Sequence, residues 1–204
     1  MTNKKKPKKE RLEVSLGPRK KAIILIKSLT SMLMAKFDVQ TYEEFISNPM
    51  ARKRKKRNFE TEFELLKPLY SEDGKYSIKS AAIYNALLEI PASLLGRGEK
   101  GKVRTIQIDG GEFLPIENSE PIMRKDIVYL DKGRGRKVPD IRVRCEFFDW
   151  QIRVPITYDP EVLNAEDIAN LFVKAGIYCG LGQWRPSSPK PGVHGRFTVA
   201  SIEG

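Results

Sequence analysis

The stretch Ile141-Arg-Val-Arg-Cys-Glu-Phe147-Phe-Asp-Trp150-Gln-Ile152-Arg-Val-Pro-Ile156-Thr-Tyr158 decides the fold. Ile141, Val143, Cys145 and Phe147 alternate with Arg142, Arg144 and Glu146, the period of a strand with one buried and one polar face. The pattern predicts a strand over 141–147 that carries both arginines on its open, polar side. Phe148 to Trp150 reads as a turn into a second strand over 152–158, where Ile152, Val154 and Ile156 alternate with Arg153. Pro155 has no N–H to give a sheet ladder, which predicts an edge position for that strand.

Working outward from this pair, Asn164 is a good N-cap for a helix whose Ile168, Leu171, Phe172 and Ala175 share one face, with Gly176 as its expected end. Arg196 to Ile202 closes the chain as a strand. Towards the N-terminus, Lys20 to Lys27 (KKAIILIK) is a short isoleucine-rich run with charged flanks, the pattern of a buried first strand. Thr41 to Glu44 is a capping-box sequence interrupted by Pro49, and Phe59, Phe63 and Leu66 recur at helical spacing. Ser80 opens a firmer helix through Ile83, Leu87 and Ile90 that Pro91 stops. Leu94 to Lys102 reads as a mobile connector, Arg104 to Asp109 as a strand ending at Gly110-Gly111, and Phe113 to Ile116 as a short extended piece. Tyr129 to Val138 (YLDKGRGRKV) reads as a solvated hairpin tip or loop.

The order strand, helices, strand, long hairpin, helix, strand is an elaborated βαββαβ unit. The expected fold class is therefore α+β, a ferredoxin-like antiparallel sheet of the RRM kind with helical insertions and a long β-hairpin. Residues 1–19 are expected to form a disordered basic arm, and residues 20–204 one domain with a helical insertion at about 41–70.

Composition narrows the function. The 204 residues are 40% hydrophobic and 31% charged. No apolar run approaches the roughly 18–20 residues of a membrane span, so a cytoplasmic protein without a membrane partner is expected. Two cysteines and one histidine leave too few ligands for zinc clusters or a disulfide framework. No cofactor or metal is expected. The carboxylates Asp109, Glu112, Glu117 and Glu120 lie in a turn-rich stretch where acids are ordinary surface residues, and Cys145 and Cys179 read as small buried apolar groups. The net charge of +11 is concentrated: residues 1–21 and the run Arg52, Lys53, Arg54, Lys55, Lys56, Arg57 account for more than all of it. Smaller basic clusters include Arg134 and Arg136 in the hairpin tip. This is the footprint of a protein that contacts phosphates.

The densest motif is Gly176-Ile-Tyr-Cys-Gly180-Leu-Gly182-Gln-Trp184-Arg185-Pro186, followed after a short spacer by Gly192-Val-His194-Gly195-Arg196-Phe197. Here glycine amides at Gly180, Gly182, Gly192 and Gly195 can face a phosphate, Trp184 can stack a base, and Arg185 and Arg196 supply charge. The competing reading is a long loop whose glycines serve positive φ, with Trp184 as a lid on the core. Arg142 and Arg144, with Arg153, are candidates to track a phosphate backbone, against an ordinary solvated face paired with Glu146.

The pair Gly180-Leu-Gly182 and Gly192-Val-His194-Gly195 before the last strand resembles the glycine-rich loop of the RAMP superfamily, the CRISPR-associated RNA-binding proteins. The segments KAIILIKSLTSMLM (21–34), Glu62-Phe-Glu64, Pro121-Ile-Met-Arg124, the turn at Asp149-Trp150 and the C-terminal motif resemble a family of bacteriophage proteins that is itself RAMP-like. The likeness departs at His194, where a phenylalanine is expected, and at Lys27 to Thr30, where a Gly-Thr-Thr-Pro turn is expected. It implies a phage-encoded, non-enzymatic module that binds RNA or single-stranded DNA, assembling along the strand with copies of itself. One alternative it implies is an anti-defence factor with a host-defence protein partner. A second is a metal-independent ribonuclease in which His194 acts with Tyr178 or Lys190.

Overall fold

The computed structural model describes residues 17–34, 58–66, 75–131, 133, 135 and 137–204. The run 52–57, Arg134 and Arg136, and the capping-box stretch at 41–44 lie outside the described residues.

Four strands form the main sheet: β1 (Lys20–Ser28), β4 (Gln107–Ile108), β8 (Gln151–Tyr158) and β9 (Phe197–Glu203), in the spatial order β4-β8-β1-β9 with every neighbour antiparallel. Helix α2 (Ser80–Leu88) lies in the chain between β1 and β4, and α4 (Ala165–Tyr178) between β8 and β9. The two helices touch each other and bury Ile83 and Leu87 of α2 and Ile168, Leu171 and Phe172 of α4 in one core with Ile24, Ile26, Ile152, Val154 and Ile156 of the sheet. The alternation in β1 and β8 explains this directly, since every second residue of each strand faces the helices. A second sheet has the order β2-β7-β6, from β2 (Met32–Met34), β7 (Lys137–Phe147) and β6 (Ile122–Asp131). A two-stranded ladder joins β3 (Ser77–Lys79) to β5 (Phe113–Pro115). Short helices α1 (Phe59–Leu66) and α3 (Glu99–Val103) and a 3-10 turn at Ala92–Leu94 complete the described elements.

Several expectations change. The strands 141–147 and 152–158 both form, but they do not pair with each other: β7 joins β2 and β6, while β8 joins β1 and β4. The turn between them is a switch from one sheet to the other. Trp150 is wholly buried there, its Nε1–H donates to the Thr30 carbonyl at 3.1 Å, and its own carbonyl accepts from Ser28 N at 2.9 Å. Anchoring the turn against the end of β1 sends β8 into the main sheet. Pro155 sits opposite Ile23 of β1 and its carbonyl accepts from Asp109 N at 2.8 Å. β8 is therefore not an edge strand but lies between β4 and β1, and Pro155 is tolerated just past the last paired residues of β4, Ile108 opposite Ile156.

Gly176 does not end the last helix, which runs on to Tyr178 behind a capping box of Asn164 and Asp167. A Cβ at Gly176 would stand 2.0 Å from the Phe197 carbonyl, so the glycine is where α4 lies directly on β9. The stretch 94–102 is also more ordered than a connector. Glu99 accepts from Gly96 N at 2.6 Å, which holds the carboxylate below its ordinary pKa, and α3 then buries Val103. The tip at 129–138 is shorter than expected, because the β6–β7 ladder pairs residues as far out as Asp131 and Lys137.

Candidate nucleic-acid interface

The β6–β7 hairpin has two faces. Cross-strand pairing sets Arg124 opposite Arg144 and Asp126 opposite Arg142, and Ile122 opposite Glu146, all on one face. Over the base of that face lies the C-terminal glycine-rich loop. It is fastened to β2 by Gln183 N donating to the Leu33 carbonyl at 2.7 Å, and to the turn after β1 by Gly195 N donating to the Ser31 carbonyl at 2.8 Å.

Trp184 closes the face. The Arg144 guanidinium lies 4.2 Å from the indole centroid and that of Arg124 5.8 Å, so two cations sit beneath one electron-rich ring. Arg144 is 2% exposed. Its Nη1 donates to Asp126 Oδ2 and its Nε to Gln183 Oε1 at 2.7 Å. Burial pulls its pKa down and the Asp126 hydrogen bond opposes this. Arg124 donates to Asp126 Oδ1 at 2.9 Å and to Glu146 Oε1 at 3.0 Å, and the hydrogen bond to Asp126 raises its pKa. The same Glu146 oxygen accepts from the Ser31 hydroxyl at 2.6 Å, and Ser31 Oγ lies 3.0 Å from His194 Nδ1. A continuous polar chain thus runs from Gln183 through Arg144, Asp126, Arg124, Glu146 and Ser31 to His194.

Arg144 therefore does not stand on an open strand face. Val143, Arg144 and Cys145 are all buried, because α1 packs against one side of β7 and the glycine-rich loop covers the other. Arg144 lies against Trp184 and away from solvent. Its carboxylate partner is Asp126, and Glu146 pairs with Arg124 instead. Arg142, two residues further out on the same face, is exposed. Arg153 belongs to the other sheet, where it is half exposed and lies 3.6 Å from Glu117 and 3.7 Å from Glu203. The three arginines do not form one track.

The glycines are likewise turned inward. Gly180 N donates to Ala175 O at 2.9 Å, Gly192 N to Arg185 O at 3.3 Å, and Gly195 N to Ser31 O. A Cβ at Gly182, Gly192 or Gly195 would come within 2.4, 2.3 and 1.8 Å of the carbonyl oxygens of Leu33, Trp184 and Leu181. These glycines let the loop fold on itself and on β2, which leaves no amide cradle at those three nitrogens for a phosphate. Arg185 is braced: it donates to Ser187 Oγ, to Gly182 O and to Glu89 at the end of α2. Arg196 uses its backbone to tie β9 to the turn after β1, and its buried Nε meets no hydrogen-bond partner among the described residues.

Asp126, Gln183 and Ser31 were not legible as site residues. Nothing in their spacing marks them, since they come together only when three separate segments meet. Arg124 carried one hint, as part of the Pro121-Ile-Met-Arg124 segment. Asp109, Glu112, Glu117 and Glu120 form no metal-binding cluster among the described residues. Cys145 and Cys179 are buried as expected, and burial pushes the Cys179 thiol up to about 11. No helix among the described residues is long and apolar enough to cross a membrane.

No protein-family model matches the sequence, and no curated protein matches it. Among solved structures, 91% of the chain superposes with a TM-score of 0.52 and 14% identity on a chain of the Type III-B Cmr-beta bound to cognate target RNA, determined by cryo-EM. The protein spans 60% of that chain's length. At this identity the likeness is one of fold. It agrees with an α+β architecture of antiparallel sheets and few helices, consistent with a RAMP-like fold.

Proposed function

We propose that this protein is a non-enzymatic, phage-encoded RNA-binding module, and that its main sheet is the ferredoxin-like unit of a RAMP-like fold. The observation that carries the reading is Trp184 supported from beneath by Arg144 and Arg124, on a protein with a net charge of +11. An indole held in this way is a rigid stacking platform. Arg142 extends the same hairpin face outward, and the basic segments 1–21 and 52–57 supply the phosphate contacts that the braced Arg144 and Arg185 do not. The fold likeness to a chain of an RNA-bound assembly is in keeping with this reading.

The test is fluorescence anisotropy with labelled single-stranded RNA, single-stranded DNA and duplex DNA across a salt series, each product then run on a denaturing gel. The expected result is intact RNA, bound with an affinity that falls linearly in log salt. Neutralising Arg52 to Arg57 is expected to flatten that slope. Cleaved RNA would instead establish the ribonuclease reading, with His194→Ala as its check, and no binding at low salt would transfer the role to a protein partner.

A second observation favours self-assembly. On the other hairpin face Ile127, Tyr129 and Ile141 are 70%, 64% and 38% exposed and adjoin one another across the ladder. Such a patch suits contact with a further copy along a bound strand. Sedimentation with and without RNA tests it, with larger species expected when RNA is present.

A further inference from the structure

The polar chain that ends at His194 fixes which ring nitrogen carries the proton. Glu146 Oε1 is ion-paired with Arg124 and accepts from Ser31 Oγ at 2.6 Å. The Ser31 hydroxyl has one proton, and that contact uses it. The 3.0 Å contact between Ser31 Oγ and His194 Nδ1 then requires the proton to lie on Nδ1, donated to the serine oxygen. In the neutral imidazole, Nε2 on the far side of the ring is left as an acceptor.

Among the described residues neither His194 Nε2 nor the Trp184 Nε1–H meets a hydrogen-bond partner, and neither is a buried atom. The two rings lie 6.3 Å apart and are tilted by 37°, so they stand beside each other rather than stacked face to face. Arg124 and Arg144 are cross-strand partners and both approach the indole from the hairpin, which leaves the opposite side of the half-buried Trp184 facing away from the hairpin. An aromatic surface, a free donor and a free acceptor of fixed polarity are thus carried by two neighbouring rings.

We propose that Trp184 and His194 form a subsite for one unpaired nucleobase, stacked on the indole and donating an edge N–H to His194 Nε2, with Ser31 and Glu146 as positioning residues. This rests on the RNA-binding reading above and deepens it, since phosphate contacts alone give no selectivity among bases.

The experiment compares two single-stranded RNA oligomers by anisotropy at fixed salt. One is oligoadenylate; the other has purine riboside at every position, which keeps the stack and removes the amino donor. The wild-type protein is expected to bind oligoadenylate about three- to tenfold more tightly, the effect of one net hydrogen bond. His194→Phe is expected to bring the oligoadenylate affinity down to that for purine riboside. Ser31→Ala is expected to erode the preference and Ser31→Thr to restore it, which loss of packing would not produce. Trp184→Ala is expected to weaken both oligomers by about fivefold or more. Equal wild-type affinities for the two oligomers, or a preference unchanged in His194→Phe, would overturn the subsite while leaving RNA binding intact. Failure to bind either oligomer at low salt would overturn the RNA-binding reading and the subsite together.

Discussion

Arg144 and Arg153 stand on strands consecutive in the chain, each between apolar residues, yet their side chains are 2% and 50% exposed. Around Arg153 the open face of the main sheet carries Lys21, Ile23, Leu25 and Lys27 of β1 beside Gln151, Pro155 and Thr157 of β8, with no aromatic ring among them. Around Arg144 a loop has folded over the face and set Trp184 on the guanidinium. The difference teaches that a charged strand face becomes a site only where something covers it. Without cover, Arg153 makes long, solvent-screened contacts of little energetic weight. Beneath Trp184 the same residue type becomes an anchor, tied at once to Asp126, Gln183 and the indole.

The largest effect is expected at the anchors. Arg144→Ala should lower unfolding free energy by about 3–4 kcal/mol, because Asp126 is left with Arg124 alone, Gln183 Oε1 loses its donor and Trp184 loses the guanidinium beneath it, whereas Arg153→Ala should stay within about 0.5 kcal/mol. Paired denaturant titrations measure both, and equal losses would break the contrast between the two faces.

The cover itself comes next. At Gly195 a Cβ would meet the Leu181 carbonyl at 1.8 Å on a backbone with φ of 71°. Gly195→Ala is therefore expected to cost about 2–3 kcal/mol and to release Trp184, seen as a red shift in its fluorescence. A glycine serving only to admit phosphate would leave both unchanged.

A smaller effect is expected where the loop is braced to α2. Arg185→Ala removes the contacts to Glu89 at 3.1 Å and to Gly182 O at 3.2 Å. The expected loss is about 1 kcal/mol by thermal or chemical unfolding.

The smallest is a pH effect at the end of α4. Burial raises the Cys179 thiol from 9.0 to about 11, so the folded state favours the protonated form. Its contribution is complete below about pH 9 and is lost as pH rises through about 11. Cys179→Ala should flatten stability in that alkaline window and leave it unaltered in shape near neutrality.

Much of the fold was legible before any coordinates. Alternation marked β7 and β8, an isoleucine-rich run with charged flanks marked β1, the Asn164 cap and the spacing of Ile168 to Ala175 marked α4, and Phe59 with Phe63 marked α1. Such signals are local, since each needs only a residue's neighbours in the chain. The candidate site was only half legible. Trp184 and the glycines drew attention because of their chemistry, but the amides of Gly180 and Gly192 bond within their own loop and helix end, while Gly195 and Arg144 are engaged by segments far away in sequence.

The sequence by itself determined which residues can bury a side chain, where helices start, and that the positive charge is gathered into a few segments. It did not determine that β7 and β8 would enter different sheets, or that the C-terminal loop would lie across Arg144 and end at Ser31 and His194. Alternation tells a strand that it has two faces, but what covers each face is chosen by chain segments far away in sequence. The tertiary structure made that choice through the Trp150 anchor and the close approach of Gly182 to β2, and it thereby set two cross-strand arginines, Arg124 and Arg144, beneath one tryptophan.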